Sequence, residues 1–467
     1  MHDLVRDTAL WIASKEGKAI KVPTKTLAEV EENVKELTAI SLWGMENLPP
    51  IDQLHCPKLK TLLLHSTDES SLQLPNAYFG KMQMLEVLGI TKFYYTWRNL
   101  YTLRYLSSSL SILAMPQSIE RLTMLRALCL RGYELGDISI LASLTRLEIL
   151  DLCSSTFDEL PQGIATLKKL RLLDIYICRI KKNNPYEVIR KCTQLEELYI
   201  WRVEDDSLQI SSLPMFHRYV IVCDKFRENC RFLINAYLED HVPSRALCID
   251  KFDASALIHD SSSIKDLFLR SGHLYLGHLR GGCKNIVPHM DQGGMTELIG
   301  LILESCSEIE CLLDTTNTNS PAFFELVTLK LICMKGLKQV FIESTSQCSL
   351  EKLEDMQIEY CTQLSSISFP RKSNMCNLKI LRLQWCPMLT SSLFTPTIAR
   401  SLVVLEELKL FDCSKLKHII AEEYVEVENA DYPNHALKVF PNLRILHVHG
   451  CQGLESIFPI TFAQSLE

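Results

Sequence analysis

The stretch that decides the fold is residues 405–413, Leu-Glu-Glu-Leu-Lys-Leu-Phe-Asp-Cys. Its leucines, Leu405, Leu408 and Leu410, have the spacing L-x-x-L-x-L, and Cys413 stands three positions after the last of them. The end of this phrase alternates apolar and polar residues, which predicts a short strand with one side facing a core. The phrase recurs along the chain, with Ile, Val or Met sometimes replacing Leu. The other copies are Leu37/Ile40/Leu42, Leu59/Leu62/Leu64, Leu85/Leu88/Ile90, Leu125/Leu128/Leu130, Leu147/Leu150/Leu152, Leu170/Leu173/Ile175, Leu195/Leu198/Ile200, Ile264/Leu267/Leu269, Leu298/Leu301/Leu303, Leu326/Leu329/Leu331, Leu353/Met356/Ile358, Leu378/Leu381/Leu383 and Leu443/Leu446/Val448.

Successive copies are commonly about 20 to 28 residues apart, which is the period of a leucine-rich repeat. The spacing therefore predicts an α/β fold, a leucine-rich-repeat solenoid in which the copies stack as one parallel sheet. We expect a right-handed horseshoe with about fifteen short strands on its concave side and an irregular convex side. The repeats should fill residues 37–467, with a degenerate stretch at 203–250, where Leu247 and Ile249 suggest a further copy. A short helical segment is expected over residues 1–36.

A cysteine marks the turn after many of these strands. It is found at Cys178, Cys306, Cys361, Cys386, Cys413 and Cys451. A buried cysteine fills a small space there and donates a weak hydrogen bond to the backbone, so we interpret these six as structural. The chain has 18 cysteines but no C-x-x-C pair, which argues against a zinc ribbon. No metal and no cofactor is expected.

Composition excludes several classes of function. The chain of 467 residues carries 49 Lys+Arg and 56 Asp+Glu, a net charge of -7, which argues against a nucleic-acid partner. Met1–Asp7 has two acidic residues where a signal peptide needs a basic and then an apolar run. No stretch is long and apolar enough for a transmembrane helix, and no N-x-[ST] sequon is present. We therefore expect an intracellular, cytoplasmic protein.

The concave face is the predicted site, and its function is to bind protein. We find no catalytic motif, so an enzyme is not expected. The sequence His447-x-His449-x-Cys451 resembles a metal site, but Cys451 is one of the buried marker cysteines. Exposed aromatic residues on a rigid sheet are typical of contact surfaces. A protein partner and a covering neighbouring domain explain such residues equally well. The outward residues predicted to form the surface are Trp43, His65, Tyr176, Tyr199, Trp201, Glu359, Phe411, His447 and His449. Among them, Tyr176, Tyr199 and Trp201 should form one exposed patch that is not needed for folding.

The beginning of the chain differs from the repeats. Residues 1–14, Met-His-Asp-Leu-Val-Arg-Asp-Thr-Ala-Leu-Trp-Ile-Ala-Ser, read as an amphipathic helix. This segment resembles the MHD motif and following helix of plant coiled-coil-type nucleotide-binding leucine-rich-repeat immune receptors. Residues 74–79, Leu-Pro-Asn-Ala-Tyr-Phe, and residues 440–446, Phe-Pro-Asn-Leu-Arg-Ile-Leu, also resemble that family. The resemblance covers essentially the whole chain.

The resemblance implies a function in defence. Residues 1–36 would be the remnant of the winged-helix/MHD region, and the repeats would be the sensor and autoinhibitory region of an intracellular receptor. Partners would be a protein ligand, either a pathogen effector or a guarded host protein, and the receptor's own nucleotide-binding module. His2 matches the family's MHD histidine, but the chain has no P-loop, so no nucleotide site is expected. The alternatives are a substrate adaptor of a ubiquitin ligase, or a truncated receptor product that does not signal.

Overall fold

The computed structural model describes residues 19–22, 36–45, 56–66, 74–92, 111–202, 213–223, 245–257, 263–314, 322–342, 350–369, 375–390, 392–421 and 439–457. The chain divides into two compact units, Met1–Glu204 with Leu208–Ser244, and Asp205–Ser207 with Arg245–Glu467. Each unit is a stack of parallel strands, so the predicted leucine-rich-repeat solenoid is confirmed. The helical segment expected at the N-terminus lies largely outside the described residues.

The first unit contains a main parallel sheet and a smaller one. Its strands are β1 (Ala19–Val22), β2 (Ala39–Met45), β3 (Thr61–Ser66), β4 (Val87–Lys92), β5 (Ser111–Ile112), β6 (Ala127–Arg131), β7 (Tyr133–Gly136), β8 (Ile149–Asp151), β9 (Thr156–Phe157), β10 (Leu172–Ile175), β11 (Arg179–Ile180), β12 (Glu197–Arg202) and β13 (Arg218–Cys223). In the main sheet β1, β2, β3, β4, β6, β8, β10, β12 and β13 pair in that order. The two-residue to four-residue strands β5, β7, β9 and β11 form the smaller sheet.

The second unit repeats this arrangement. Its strands are β14 (Arg245–Asp250), β15 (His273–Gly277), β16 (Gly300–Glu304), β17 (Leu313–Asp314), β18 (Thr328–Ile332), β19 (Phe341–Ile342), β20 (Asp355–Glu359), β21 (Ile380–Gln384), β22 (Glu407–Phe411) and β23 (Ile445–His449). The strands β14, β15, β16, β18, β20, β21, β22 and β23 form the main sheet, and β17 pairs with β19.

The core of each unit is a column of the repeated apolar residues. Leu150 lies in register with Leu128 on one side and with Leu173 on the other, and all three are fully buried. In the second unit Leu408 lies beside Leu381 and is likewise inaccessible to solvent. One leucine per repeat thus packs on its equivalents, which is how a stack of short repeats makes a continuous core.

Helices in the described parts are short and connect strands. The 3₁₀ helices are Gln117–Arg121, Ser139–Ser143, Gln162–Thr166 and Ala254–Leu257, and the α-helices are Tyr186–Ile189, Ser263–Leu269 and Pro396–Ser401. The last of these begins with a standard cap: Thr395 Oγ1 accepts a hydrogen bond from the Ile398 amide at 3.3 Å. A period of about 20 to 28 residues leaves little chain for longer helices once the strand and turns are formed.

The marker cysteines take the place predicted for them. Cys306, Cys361, Cys386 and Cys413 are fully buried, whereas Cys178 and Cys451 are half-buried. The thiol of Cys306 donates to the Leu276 carbonyl, one repeat earlier, at 3.4 Å. These cysteines therefore fill turns and bridge neighbouring repeats, as the structural interpretation requires.

Three sequence assignments need correction. Ile264/Leu267/Leu269 is not a strand: residues Ser263–Leu269 form an α-helix that buries Ile264, Leu267 and Phe268, while the strand follows at β15. The spacing i, i+3 serves a helix face as well as a repeat, so the pattern alone was ambiguous. The stretch 203–250 holds one regular strand that the sequence did not predict, β13, and the copy suggested at Leu247 and Ile249 is confirmed as β14. The sheet also begins earlier than residue 37, because β1 pairs with β2 within the segment expected to be helical.

Candidate functional site

The first candidate surface follows β10 and β12. Glu197, Tyr199 and Trp201 occupy alternate positions of β12, on the side opposite the core residues Leu198 and Ile200. Tyr176 follows β10 directly and therefore lies beside Trp201 in the register of the two strands. The two rings contact each other, with centroids 5.9 Å apart and planes inclined by 41°. The predicted contact between these residues is confirmed.

The predicted exposure of this surface is wrong for its two tyrosines. Tyr176 is 0% and Tyr199 4% accessible, and only Trp201 is half-buried. The Tyr199 hydroxyl donates to Glu197 Oε2 at 2.8 Å. Burial raises the pKa of that phenol, and the Glu197 carboxylate adds to the effect. Strand alternation fixes the side to which a residue points, but the packing of large rings on strands about 4.8 Å apart decides what solvent reaches.

A buried charge cluster beside this surface was not predicted. Arg131 ends β6, and its guanidinium donates to Asp151 Oδ2 from Nε at 2.8 Å. Arg131 Nη2 also lies 3.8 Å from Asp174 Oδ2. Both carboxylates are buried. Each accepts a hydrogen bond from the backbone amide two residues later in the chain, Asp151 from Cys153 and Asp174 from Tyr176. The sequence feature that could have indicated this cluster is an aspartate at the same position of two consecutive repeats. These residues, Asp151 and Asp174, lie in register. Buried carboxylates are retained when a cation and amide donors satisfy them, so this cluster orders the face.

The earliest candidates lie on β2 and β3. Trp43 and His65 are in register, as their positions predicted. His65 is buried rather than exposed, and its Nδ1 is 2.5 Å from Thr91 Oγ1 on β4. The side chain of Trp43 is not among those that the structure describes. The polar contact to the next strand satisfies one ring nitrogen of the buried His65.

The second candidate surface lies at the ends of β20 to β23. Glu359 and Phe411 end their strands half-buried, and His447 and His449 are exposed on β23. The Phe411 ring packs edge-on against His447, with centroids 4.7 Å apart, and lies 6.4 Å from His449. Phe411, His447 and His449 thus lie together, and their use as a contact surface stays a prediction. Next to them Glu407 accepts hydrogen bonds from Arg382 Nε at 2.6 Å and is 3.0 Å from Lys409 Nζ, which lowers the pKa of the Glu407 carboxyl.

Two exposed aromatic residues of this unit were missed. Tyr360 and Trp385 follow β20 and β21, are 42% and 49% accessible, and stack with centroids 6.3 Å apart and planes 14° from parallel. Each stands immediately before a marker cysteine, Cys361 or Cys386. That repeated position was the available signal, but it lies one residue beyond the strand and so outside the alternation used to choose outward residues.

No group of three His, Cys, Asp or Glu side chains in the described residues is placed to hold a metal ion. The Cys451 thiol is directed at the carbonyls of Leu410 and His449, at 3.8 and 3.7 Å, and not toward the imidazoles. His2 lies outside the described residues. None of the described helices is long and apolar enough to cross a membrane.

Comparison with known proteins supports the resemblance seen in the sequence. No family model matches the chain. It is 23% identical over 497 aligned positions to the disease resistance protein At4g27190 of Arabidopsis thaliana, covering 98% of this chain and 45% of that protein. It is 30% identical to the putative disease resistance protein At5g05400 of the same plant, over 38% of this chain and 22% of the relative. Among solved structures, the Leptospira interrogans leucine-rich-repeat protein LIC12759 covers 83% of this chain and 100% of its own, with 17% identity and a TM-score of 0.45.

The resemblance to plant disease resistance proteins is therefore confirmed over nearly the whole chain. The chain spans less than half the length of these relatives.

Proposed function

We propose that the chain is the protein-recognition region of an intracellular plant immune receptor, with sensor and autoinhibitory roles in the defence response. It binds protein and performs no catalysis itself. Its partners are a protein ligand, either a pathogen effector or a guarded host protein, and a nucleotide-binding module of the same receptor. The observation that carries the proposal is the row of aromatic side chains at the strand ends of the second unit, Phe411, His447 and His449.

This row has the properties of a contact surface. It lies on strands β22 and β23, whose backbones are fixed by the sheet ladder, so little conformational entropy is lost on binding. The two histidines are exposed, and Phe411 is half-buried beside them on the neighbouring strand. Aromatic side chains with an apolar body and polar edges are enriched among the residues that dominate protein interfaces. In the described part of the first unit, the half-buried Trp201 supplies a further aromatic side chain on this face.

The mechanism is a coupling free energy between two partners. A ligand that binds the repeats better when the nucleotide-binding module is released shifts the receptor toward its open state. The shift cannot exceed the difference in the ligand's affinity for the two states, so a shared contact surface gives the strongest coupling. The polar clusters around Arg131 and Glu407 keep the binding faces rigid while partners exchange.

The test is co-precipitation of the chain with the nucleotide-binding module of a relative and with candidate effectors. Phe411→Ala with His449→Ala should weaken binding by about tenfold or more if these side chains are hot spots. Trp201→Ala tests the first unit separately, since Trp201 is half-buried and its substitution spares the buried tyrosines.

The matched control is Met215→Ala, an exposed apolar residue of the first unit that lies outside the sheet strands. It should leave binding unchanged. Equal binding by the parent, the Phe411/His449 variant and the Trp201 variant contradicts the assignment of both surfaces.

A further inference from the structure

We propose that Tyr360 and Trp385 form a platform that binds an arginine-bearing extended segment of a protein partner. This rests on the proposed function only in treating the chain as a protein-binding scaffold. The two rings follow β20 and β21, beside the row containing Phe411. Neither residue is among the surface residues predicted from the sequence.

The two rings of this pair are exposed to solvent. Both rings are more than two-fifths accessible, although they follow strands whose core residues, such as Ile358 and Leu383, are fully buried. They stack nearly parallel, with centroids 6.3 Å apart. The Tyr360 hydroxyl is additionally held by Gln384 Nε2 at 3.3 Å. The pair therefore presents a fixed, flat aromatic surface to solvent.

The backbone beneath the rings carries a conformational cost. Tyr360 has φ 56° and Trp385 φ 53°, in the left-handed region that bulky residues avoid. Gly450 stands at the corresponding position after β23, with φ 70°, so the turn accepts the residue that would remove the strain. The same left-handed conformation recurs after neighbouring strands at Ser305, Cys333 and Asp412, so it belongs to the turn of the repeat and fixes where the two rings stand.

Charge identifies the kind of partner. Glu359 precedes Tyr360 in the chain, and Asp412 follows β22 at the position beside Trp385. Neither carboxylate makes a side-chain hydrogen bond or an ion pair within the residues the structure describes. Nearby cations already have contacts: Arg382 Nε bonds Glu407 at 2.6 Å, and Lys415 Nζ lies 3.4 Å from Met388 Sδ. Two acidic residues thus adjoin the aromatic pair, Glu359 in the chain and Asp412 in the register of the strands.

A guanidinium fits this arrangement better than other groups. It is planar, so it stacks on a ring face, and its outer N–H groups reach carboxylates in the same plane. The unit already contains one contact of this type, since Lys352 Nζ lies 5.4 Å above the exposed Phe324 ring. The base of a nucleotide would also stack on the rings, but the neighbouring carboxylates repel the phosphates of the nucleotide.

The experiment uses the full chain and a dye-labelled peptide, acetyl-Gly-Ser-Arg-Gly-Arg-Ser-Gly-amide, followed by fluorescence polarisation at low ionic strength. The control peptide has citrulline at both arginines, which keeps the shape and removes the charge. We expect saturable binding of the arginine peptide, and binding of the citrulline peptide at least about fivefold weaker. Absence of saturable binding up to millimolar protein, or equal binding of both peptides, overturns the proposal.

Variants locate the binding. Tyr360→Ala with Trp385→Ala, and separately Glu359→Gln with Asp412→Asn, should each weaken the peptide by about fivefold or more. Phe324→Ala, an exposed ring in the same unit whose face is already occupied by Lys352, is the matched control and should not weaken it. Circular dichroism checks that each variant is folded, and Trp385→Gly gives a second variant suited to the left-handed backbone. Binding that survives removal of both rings refutes the assignment.

This outcome is independent of the proposed receptor function. Peptide binding that responds to the variants, together with no capture of a nucleotide-binding module, leaves the platform standing and removes the receptor interpretation. The reverse pattern removes only the platform.

Discussion

The substitution Leu408→Asp tests the register of the whole stack. Leu408 is fully buried at the centre of β22, between Leu381 of β21 and Leu446 of β23. Removing the leucine forfeits about 1.5–3 kcal/mol of burial. Placing a carboxylate in the apolar space left behind adds about 2 kcal/mol or more, even if it takes up a proton. We expect a loss of at least about 4 kcal/mol in the free energy of unfolding, a large share of the 5–15 kcal/mol of an ordinary domain.

A matched control stands one strand away. Leu446 has the same place in its repeat, but it is 38% accessible because it lies on β23, the last strand of the described sheet. Leu446→Asp keeps its carboxylate in contact with water, so it should cost less than about half as much. Urea unfolding followed by circular dichroism measures both variants.

Leu408→Asp should destabilise the repeats next to β22 more than the rest of the chain. Each repeat packs only on its neighbours, so amide exchange should accelerate first in β21, β22 and β23 and much less in the first unit. Equal losses for the two variants, or an unchanged unfolding curve for Leu408→Asp, would show that the burial inferred for this column is wrong.

Three further predictions concern the first unit, a buried thiol and nucleotide. Tyr199→Ala should lower the free energy of unfolding by about 3 kcal/mol because the ring is buried. Tyr199→Phe loses only the hydrogen bond to Glu197 and should lower it by about 1 kcal/mol. Equal losses for the two variants in a denaturant titration would contradict the burial of the ring. Burial raises the pKa of Cys306 from 9.0 to about 12, so its thiol adds no pH dependence below pH 9 and disfavours folding increasingly between pH 9 and 12, where only the unfolded chain ionises. Cys306→Ser should therefore reduce the loss of stability between pH 8 and 10.5 by about 1 to 2 kcal/mol, and parallel pH curves would contradict it. The purified chain should not bind ADP or ATP, because His2 alone cannot replace a phosphate-binding loop, and saturable heat in calorimetry would refute this.

The sequence by itself determined the architecture. The L-x-x-L-x-L phrase specifies strand, side and spacing together, so copies such as Leu405/Leu408/Leu410 predicted both the sheet and its buried column. The marker cysteines were equally readable, because a small residue at a fixed distance from the strand has one structural use. The phrase failed at Ile264/Leu267/Leu269, where the same spacing buries one face of a helix. It was also too strict for β13, whose inward residues Tyr219 and Ile221 do not complete the pattern.

The tertiary structure alone decided which outward residues are accessible. Alternation placed Tyr176, Tyr199 and His65 on the face opposite the core, but all three are buried. Tyr176 contacts Trp201 and His65 contacts Thr91 on the adjacent strands, more than 20 positions away in the chain, and no local pattern encodes the geometry of such contacts. For the same reason Tyr360 and Trp385 became visible as a pair only once stacking of the repeats placed their rings together. A periodic sequence fixes the direction of each side chain, whereas its exposure depends on what the neighbouring repeats place beside it.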